Sequence, residues 1–132
     1  MATHVADAIE PSWESEDIPD DDLLFMRVHR NLLSADGAPE AGAFRDHGSG
    51  MSTDWAKYST PRDTLARAND PSANAVIAMR VADIRGIPGQ IVKHTPTSKN
   101  RAHTDVIGEK KKDAEVRLKF QRLSRVVIQC SG

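Results

Sequence analysis

Leu23-Leu24-Phe25-Met26-Arg27-Val28-His29 is the stretch that decides the fold. It is a short apolar run ending in cationic residues, and its length suits a strand. On an extended chain Leu24, Met26 and Val28 share one face, while Leu23, Phe25, Arg27 and His29 share the other. The second face therefore passes from apolar to cationic along its length.

Working outward, Ala75 to Val81 reads as a second strand, with Val76 and Ala78 on one side and Ile77, Met79 and Val81 on the other. Gly86, Pro88 and Gly89 break the chain, and Gln90 to His94 reads as a shorter strand closed by Pro96. Ala43 to Asp46 is a candidate short strand, followed by the flexible joint His47-Gly48-Ser49-Gly50. Thr60-Pro61-Arg62-Asp63 has the features of a helix start: a hydroxyl cap, proline in the first turn and a carboxylate three residues on. It predicts a helix from Pro61 to about Ala68, stopped at Asn69-Asp70-Pro71.

The C-terminal third fits two patterns. Val116, Leu118 and Phe120 alternate with Arg117, Lys119 and Gln121, as in a half-buried strand; Val116, Phe120, Leu123 and Val127 also recur at helical spacing. Strands over 104–108, 115–121 and 126–129 are the expectation, with a turn at Glu109–Asp113. The predicted fold class is α+β: one small domain over residues 22–130, made of short, mostly antiparallel strands with one or two helices. Residues 1–21 are predicted to be an acidic disordered tail, because they are rich in Asp, Glu, Ser and Ala and short of apolar area.

Charge is distributed unevenly. The chain has 132 residues, 18 Lys+Arg, 19 Asp+Glu and a formal net charge of -1. Eight of the acids lie within residues 1–22, which hold no Lys or Arg, so the rest of the chain carries +7. No apolar run approaches the ~18 residues needed to cross a bilayer. No secretory or mitochondrial targeting pattern is present. A lone cysteine, Cys130, excludes an internal disulfide, and a cytoplasmic setting is expected.

Motifs for phosphate loops, dinucleotide folds, zinc proteases and paired cysteines are missing. The histidines His4, His29, His47, His94 and His103 show no helix-borne metal spacing, so neither a metal nor another cofactor is expected. The candidate chemistry is cationic instead. Arg27 and His29 close the first strand with Arg30 beside them; Arg45 and His47 precede the glycine joint, and Ser52 and Thr53 follow it. Arginine offers a planar fork to phosphate oxygens, hydroxyls add donors, and histidine transfers protons near neutral pH. Arg27, His29, Arg45 and His47 are thus candidate catalytic residues, and Arg30, Ser52 and Thr53 candidate anion ligands. A basic residue on the first strand followed by a Ser-Thr element resembles the ADP-ribosyltransferase pattern over about 30 residues. That resemblance implies a catalytic glutamate, for which the body offers only Glu40, Glu109 and Glu115.

Two further clusters extend the cationic surface. Asn100, Arg101 and His103 lie in the polar loop that begins at Lys99, and Lys110, Lys111 and Lys112 open a basic strip running to Arg125. Between residues 99 and 125 the net charge is +5, which suits counterion release from nucleic acid. Phe120 is its single aromatic, a poor platform for stacked bases. In the tail, Trp13 and Ile18 are apolar residues among acids and are candidate partner-docking residues.

Three functional readings follow. The first is an accessory protein whose basic body binds an anionic partner (nucleic acid, nucleotide or acidic protein surface), masked by its own tail. The second is a small metal-independent enzyme on a phosphate-containing substrate, a ribonuclease or nucleotide-group transferase using Arg27, His29, Arg45 and His47. The third is an assembly module that docks through Trp13 and the surrounding acids.

Overall fold

The computed structural model describes residues 13–110 and 114–131. Six strands form one antiparallel sheet: β1 (Leu23–His29), β2 (Met51–Trp55), β3 (Asn74–Arg80), β4 (Ile91–His94), β5 (His103–Ile107) and β6 (Arg125–Ile128). Their spatial order is β4-β5-β2-β1-β3-β6. Among the described residues three α-helices accompany them: α1 (Pro61–Ala66), α2 (Val81–Arg85) and α3 (Ala114–Leu123). The architecture is α+β.

β1 is central, and its alternation sets the two faces of the sheet. Leu24, Met26 and Val28 enter the main core with Phe44, Met51, Trp55, Ile77, Met79, Ile84, Val106 and Phe120. Phe25 enters a smaller core on the opposite face with Val76 and Ala78, packed by Leu23, Leu65 and Ile128. α1 is built as its local signals require. The Thr60 hydroxyl accepts from the Asp63 N–H, the Asp63 carboxylate accepts from the Thr60 N–H, and Pro61 occupies the first turn. Donation from the Thr60 N–H, the largest cause, holds the Asp63 carboxyl below the ordinary carboxylate range.

The C-terminal expectation of a strand at 115–121 is overturned. Residues Ala114–Leu123 form α3, and the chain returns to the sheet only at β6. Glu115, Arg117, Leu118, Lys119, Gln121 and Arg122 lose little side-chain freedom in a helix, and helical spacing turns Val116, Phe120 and Leu123 to the core. Leu118, which alternation would bury, is 41% exposed. Phe120 stacks on Phe44 with ring centroids 5.6 Å apart. Ala43–Asp46 is also not a strand: Ala41–Ala43 form a short 3-10 turn.

The expected tail boundary at residue 21 moves as well. Residues 1–12 lie outside the described residues, but from Trp13 the chain runs along the body as a strap. Ile18 is 4% exposed in the main core. Carbonyls of Asp20 and Asp22 accept the N–H groups of Ala82 and Val81, the first turn of α2, whose N-cap residue Arg80 supplies no side-chain cap. Composition alone missed this because one buried isoleucine and a row of backbone hydrogen bonds carry the docking.

Truncating Phe120 should test the helical assignment. Phe120→Ala is expected to cost about 3–5 kcal/mol in denaturant unfolding, and Leu118→Ala well under about 1.5 kcal/mol. The alternating strand would make the two losses comparable.

Candidate anion cleft

The site arises from a split in the sheet. β1 pairs with β3 along its whole length, from Leu23↔Arg80 to His29↔Asn74. With β2 it pairs only at Leu24↔Trp55 and Phe25↔Asp54. Beyond Phe25 the two strands separate. A tight hairpin would have closed the gap, but residues 30–50 connect the strands and pack into the opening instead.

The resulting cleft has a volume of about 280 Å³ and is lined by Arg27 and His29 from β1, Ser52, Thr53 and Asp54 from β2, and Arg45 and His47 from the connection. Asn100 and His103 reach it from the β4–β5 loop and β5, and Asn74 from β3. Residues from four separated segments that the sequence marked as cationic or polar therefore meet around one opening.

Hydrogen bonding specifies what each group can offer. The Arg27 guanidinium donates one N–H to the Thr64 carbonyl of α1 at 2.8 Å and keeps its other donors. Among the described residues, the Arg45 and His47 side chains make no hydrogen bond or ion pair. His29 Nδ1 accepts the Asn31 N–H at 3.1 Å, so in the neutral ring Nε2 carries the proton and is a donor. His103 is the reverse. Its Nδ1 lies 3.0 Å from the Thr95 carbonyl, which can only accept, so in the neutral ring Nε2 carries the lone pair.

Asp54 was not foreseen as part of this site. It is 4% exposed. One carboxylate oxygen accepts from the Thr64 hydroxyl at 2.8 Å and Arg67 at 2.7 Å, and the other from the Asn100 amide at 2.9 Å. These bonds make it the structural anchor of the cleft rather than an open base. The only signal in the sequence was a single acid inside the otherwise uncharged run Met51–Trp55.

Several candidate ligands are spent elsewhere. Thr53 is 3% exposed and donates its hydroxyl to the Thr104 carbonyl. Asn100 uses its amide to hold Asp54 and its oxygen to accept the Ala102 N–H. Arg30 is exposed but does not line the cleft. Lys110 is fully buried, and its ammonium donates to Asp46 at 2.6 Å and to the Val106 and Gly108 carbonyls at 3.0 and 2.9 Å. All three donors are used, so it is not an anion ligand. Lys111 and Lys112 lie outside the described residues. None of Glu40, Glu109 and Glu115 lines the cleft, so the glutamate implied by the ADP-ribosyltransferase resemblance has no counterpart there.

Arg101 serves the strap rather than the cleft. Its guanidinium sits between the Trp13 and Tyr58 rings, 4.3 and 4.2 Å from their centroids. Glu16 accepts from Lys57 at 2.6 Å and from the Tyr58 hydroxyl, and the Glu16 N–H donates to His94 Nδ1 at 3.0 Å. Of the two residues expected to dock on a partner, Ile18 is buried in this chain's own core, and Trp13 lies against Arg101 while remaining 38% exposed.

No family model, curated protein or solved structure matches this chain. The chemistry of the cleft rests on its residues alone. No helix among the described residues is long and apolar enough to cross a membrane. No group of three or more His, Cys, Asp or Glu residues among them is placed to hold a metal ion.

Two outcomes check these assignments. Lys110→Met should destabilise the protein by about 2–3 kcal/mol, because buried carbonyls lose a charged donor; its affinity for polyanions should not change. The second concerns pH. Lys57 first, then Tyr58, hold the Glu16 carboxyl below its usual value of 4.5 by hydrogen bonding. A depressed acid stabilises above its unfolded pKa, and the contribution disappears as pH falls through the folded value. The Trp13 indole NMR signal should therefore hold its native position at and above pH 4.5 and move below it. In Glu16→Gln the displacement should already be present at neutral pH.

Proposed function

We propose that this protein binds a phosphate-bearing small molecule of the nucleotide class in the cleft between β1 and β2. The observation that carries this reading is the convergence of Arg27, His29, Arg45, His47 and His103 on one opening. The one acid among the lining residues, Asp54, is already paired with Arg67, so an incoming anion meets a cationic wall without an uncompensated carboxylate. Arg27 and Arg45 present guanidinium forks to phosphate oxygens, and His29 adds an Nε2–H donor. The opening is at the small end for ligand clefts and suits the phosphate end of a nucleotide.

The broader reading, a basic body that binds extended nucleic acid, has less support. Lys57, Arg80, Arg85 and Arg101 are paired with acids of the strap, and Lys110 with Asp46. In the cleft, Arg27 and Arg45 have no acidic partner among the described residues.

Titration calorimetry with ADP and with pyrophosphate tests the proposal. Binding should weaken about 10- to 100-fold in Arg27→Ala and in Arg45→Ala, the loss of a charged hydrogen bond to phosphate. Absence of binding, or affinity unaffected by both substitutions, would overturn it. A short oligonucleotide bound more tightly than ADP, with a steep dependence on salt, would favour the polyanion reading instead.

A further inference from the structure

The geometry points to a second function for the cleft: Ser52 is a nucleophile and His103 its general base, acting on the phosphoanhydride of a nucleoside diphosphate held there. This inference rests on the cleft being a nucleotide site and adds a reaction to it.

Strand register brings the pair together. Ser52 stands opposite Asp105, and His103 opposite Asp54, two positions along the same ladder. Diagonal neighbours on one face of an antiparallel pair are within reach of a long side chain. The imidazole spans that diagonal and places Nε2 3.4 Å from the Ser52 hydroxyl oxygen. That is a long hydrogen bond, of the kind that tightens when substrate arrives.

The base is oriented from behind. Thr95, just past β4, sets both its carbonyl oxygen and its hydroxyl 3.0 Å from His103 Nδ1. Because the carbonyl only accepts, the neutral ring carries its proton on Nδ1, and the lone pair of Nε2 faces Ser52. Nucleophile, base and a third group that fixes the base together make the arrangement expected of an activated hydroxyl. Asp54, cross-strand from His103, is already bound by Arg67, Thr64 and Asn100 and does not compete for the imidazole.

Ser52 is also distinguished from the other hydroxyls nearby. Thr53 donates to a backbone carbonyl and Ser49 to Asp105. Ser52 is exposed, and its hydroxyl has no partner but His103 among the described residues. Arg27 and Arg45 line the same cleft, where they would offset charge on the phosphoryl oxygens.

The chemistry balances without a cofactor. The Ser52 oxygen forms a bond to the terminal phosphorus, the bridging P–O bond breaks, and its electron pair leaves with the departing nucleoside monophosphate. The hydroxyl proton passes to His103 Nε2 and then to solvent. Water next attacks the phosphoserine and gives a proton to His103; the serine oxygen departs with the P–O electron pair and recovers that proton. A phosphate leaving group is stable as the anion and needs no separate acid.

An alkyl fluorophosphonate tests the dyad directly, since its P–F bond breaks as the serine oxygen attacks. Peptide mass spectrometry should find the adduct on Ser52, and ADP should slow its formation. His103→Gln should lower the labelling rate on the order of 10²-fold, more than any loss of ADP affinity that calorimetry finds for it. In the wild-type protein the adduct should form on Ser52 and not on Ser49, whose hydroxyl donates to Asp105. This selectivity stands even if His103→Gln fails to fold. ADP binding without a Ser52 adduct, an adduct insensitive to ADP, or equal labelling of Ser49 would overturn the dyad and leave the nucleotide site standing. Failure of ADP and pyrophosphate to bind would overturn the site itself.

Discussion

The structure depends on a junction only two register pairs wide. Leu24↔Trp55 and Phe25↔Asp54 are the sole pairings between β1 and β2, and they join a β4-β5-β2 half-sheet to a β1-β3-β6 half-sheet. One pair belongs to the main core, through Leu24 and Trp55, and the other carries Phe25 and the buried Asp54. A charge buried at such a point must be fully compensated. Arg67, Thr64 and Asn100 supply that compensation. The same bonds tie α1 and the β4–β5 loop to the edge of the split, so the two walls of the cleft are held by one carboxylate. Where the strands part, their facing backbone groups are left for the connection, water or a ligand to satisfy.

A second set of contacts steadies the loop that supplies Asn100 and leads into His103 of β5. His94 is 1% exposed and packs against Trp55 with ring centroids 5.0 Å apart. Its Nδ1 accepts from the strap at Glu16, and its Nε2 meets the Arg101 carbonyl at 2.7 Å. Arg101 is in turn held between Trp13 and Tyr58. The strap thus reaches the cleft indirectly, by fixing the residue between Asn100 and Ala102. From Trp13 onward the acidic segment is bound to the body by these contacts.

Local signals were legible wherever a few adjacent residues carried the physics. Thr60-Pro61-Arg62-Asp63 contains its own cap, so α1 could be read directly, although it ends at Ala66 rather than near Ala68. β1 and β3 showed their two faces because both are central strands, apolar on one side and mixed on the other. α3 was misread because Val116, Leu118 and Phe120 satisfy a period of two as well as a period near 3.6. Packing of Phe120 against Phe44 and the rest of the core favours the helix, and that contact joins distant parts of the chain. Lys110 shows the same limit: nothing in Lys110-Lys111-Lys112 marks the first ammonium as buried against Asp46.

By itself the sequence determined the strand faces, the capped helix, the α+β class and the residue types available for anion chemistry, because each is a property of neighbours along the chain. The tertiary structure alone decided which of those residues meet. Arg27, His29, Arg45, His47, Ser52 and His103 share an opening because β1 and β2 part beyond Phe25, and no local pattern encodes where two strands stop pairing. It also decided the tautomers of His29 and His103, which follow from a backbone donor at Asn31 and a backbone acceptor at Thr95. Proton positions on imidazole depend on contacts, and those at Thr95 form only when the sheet closes.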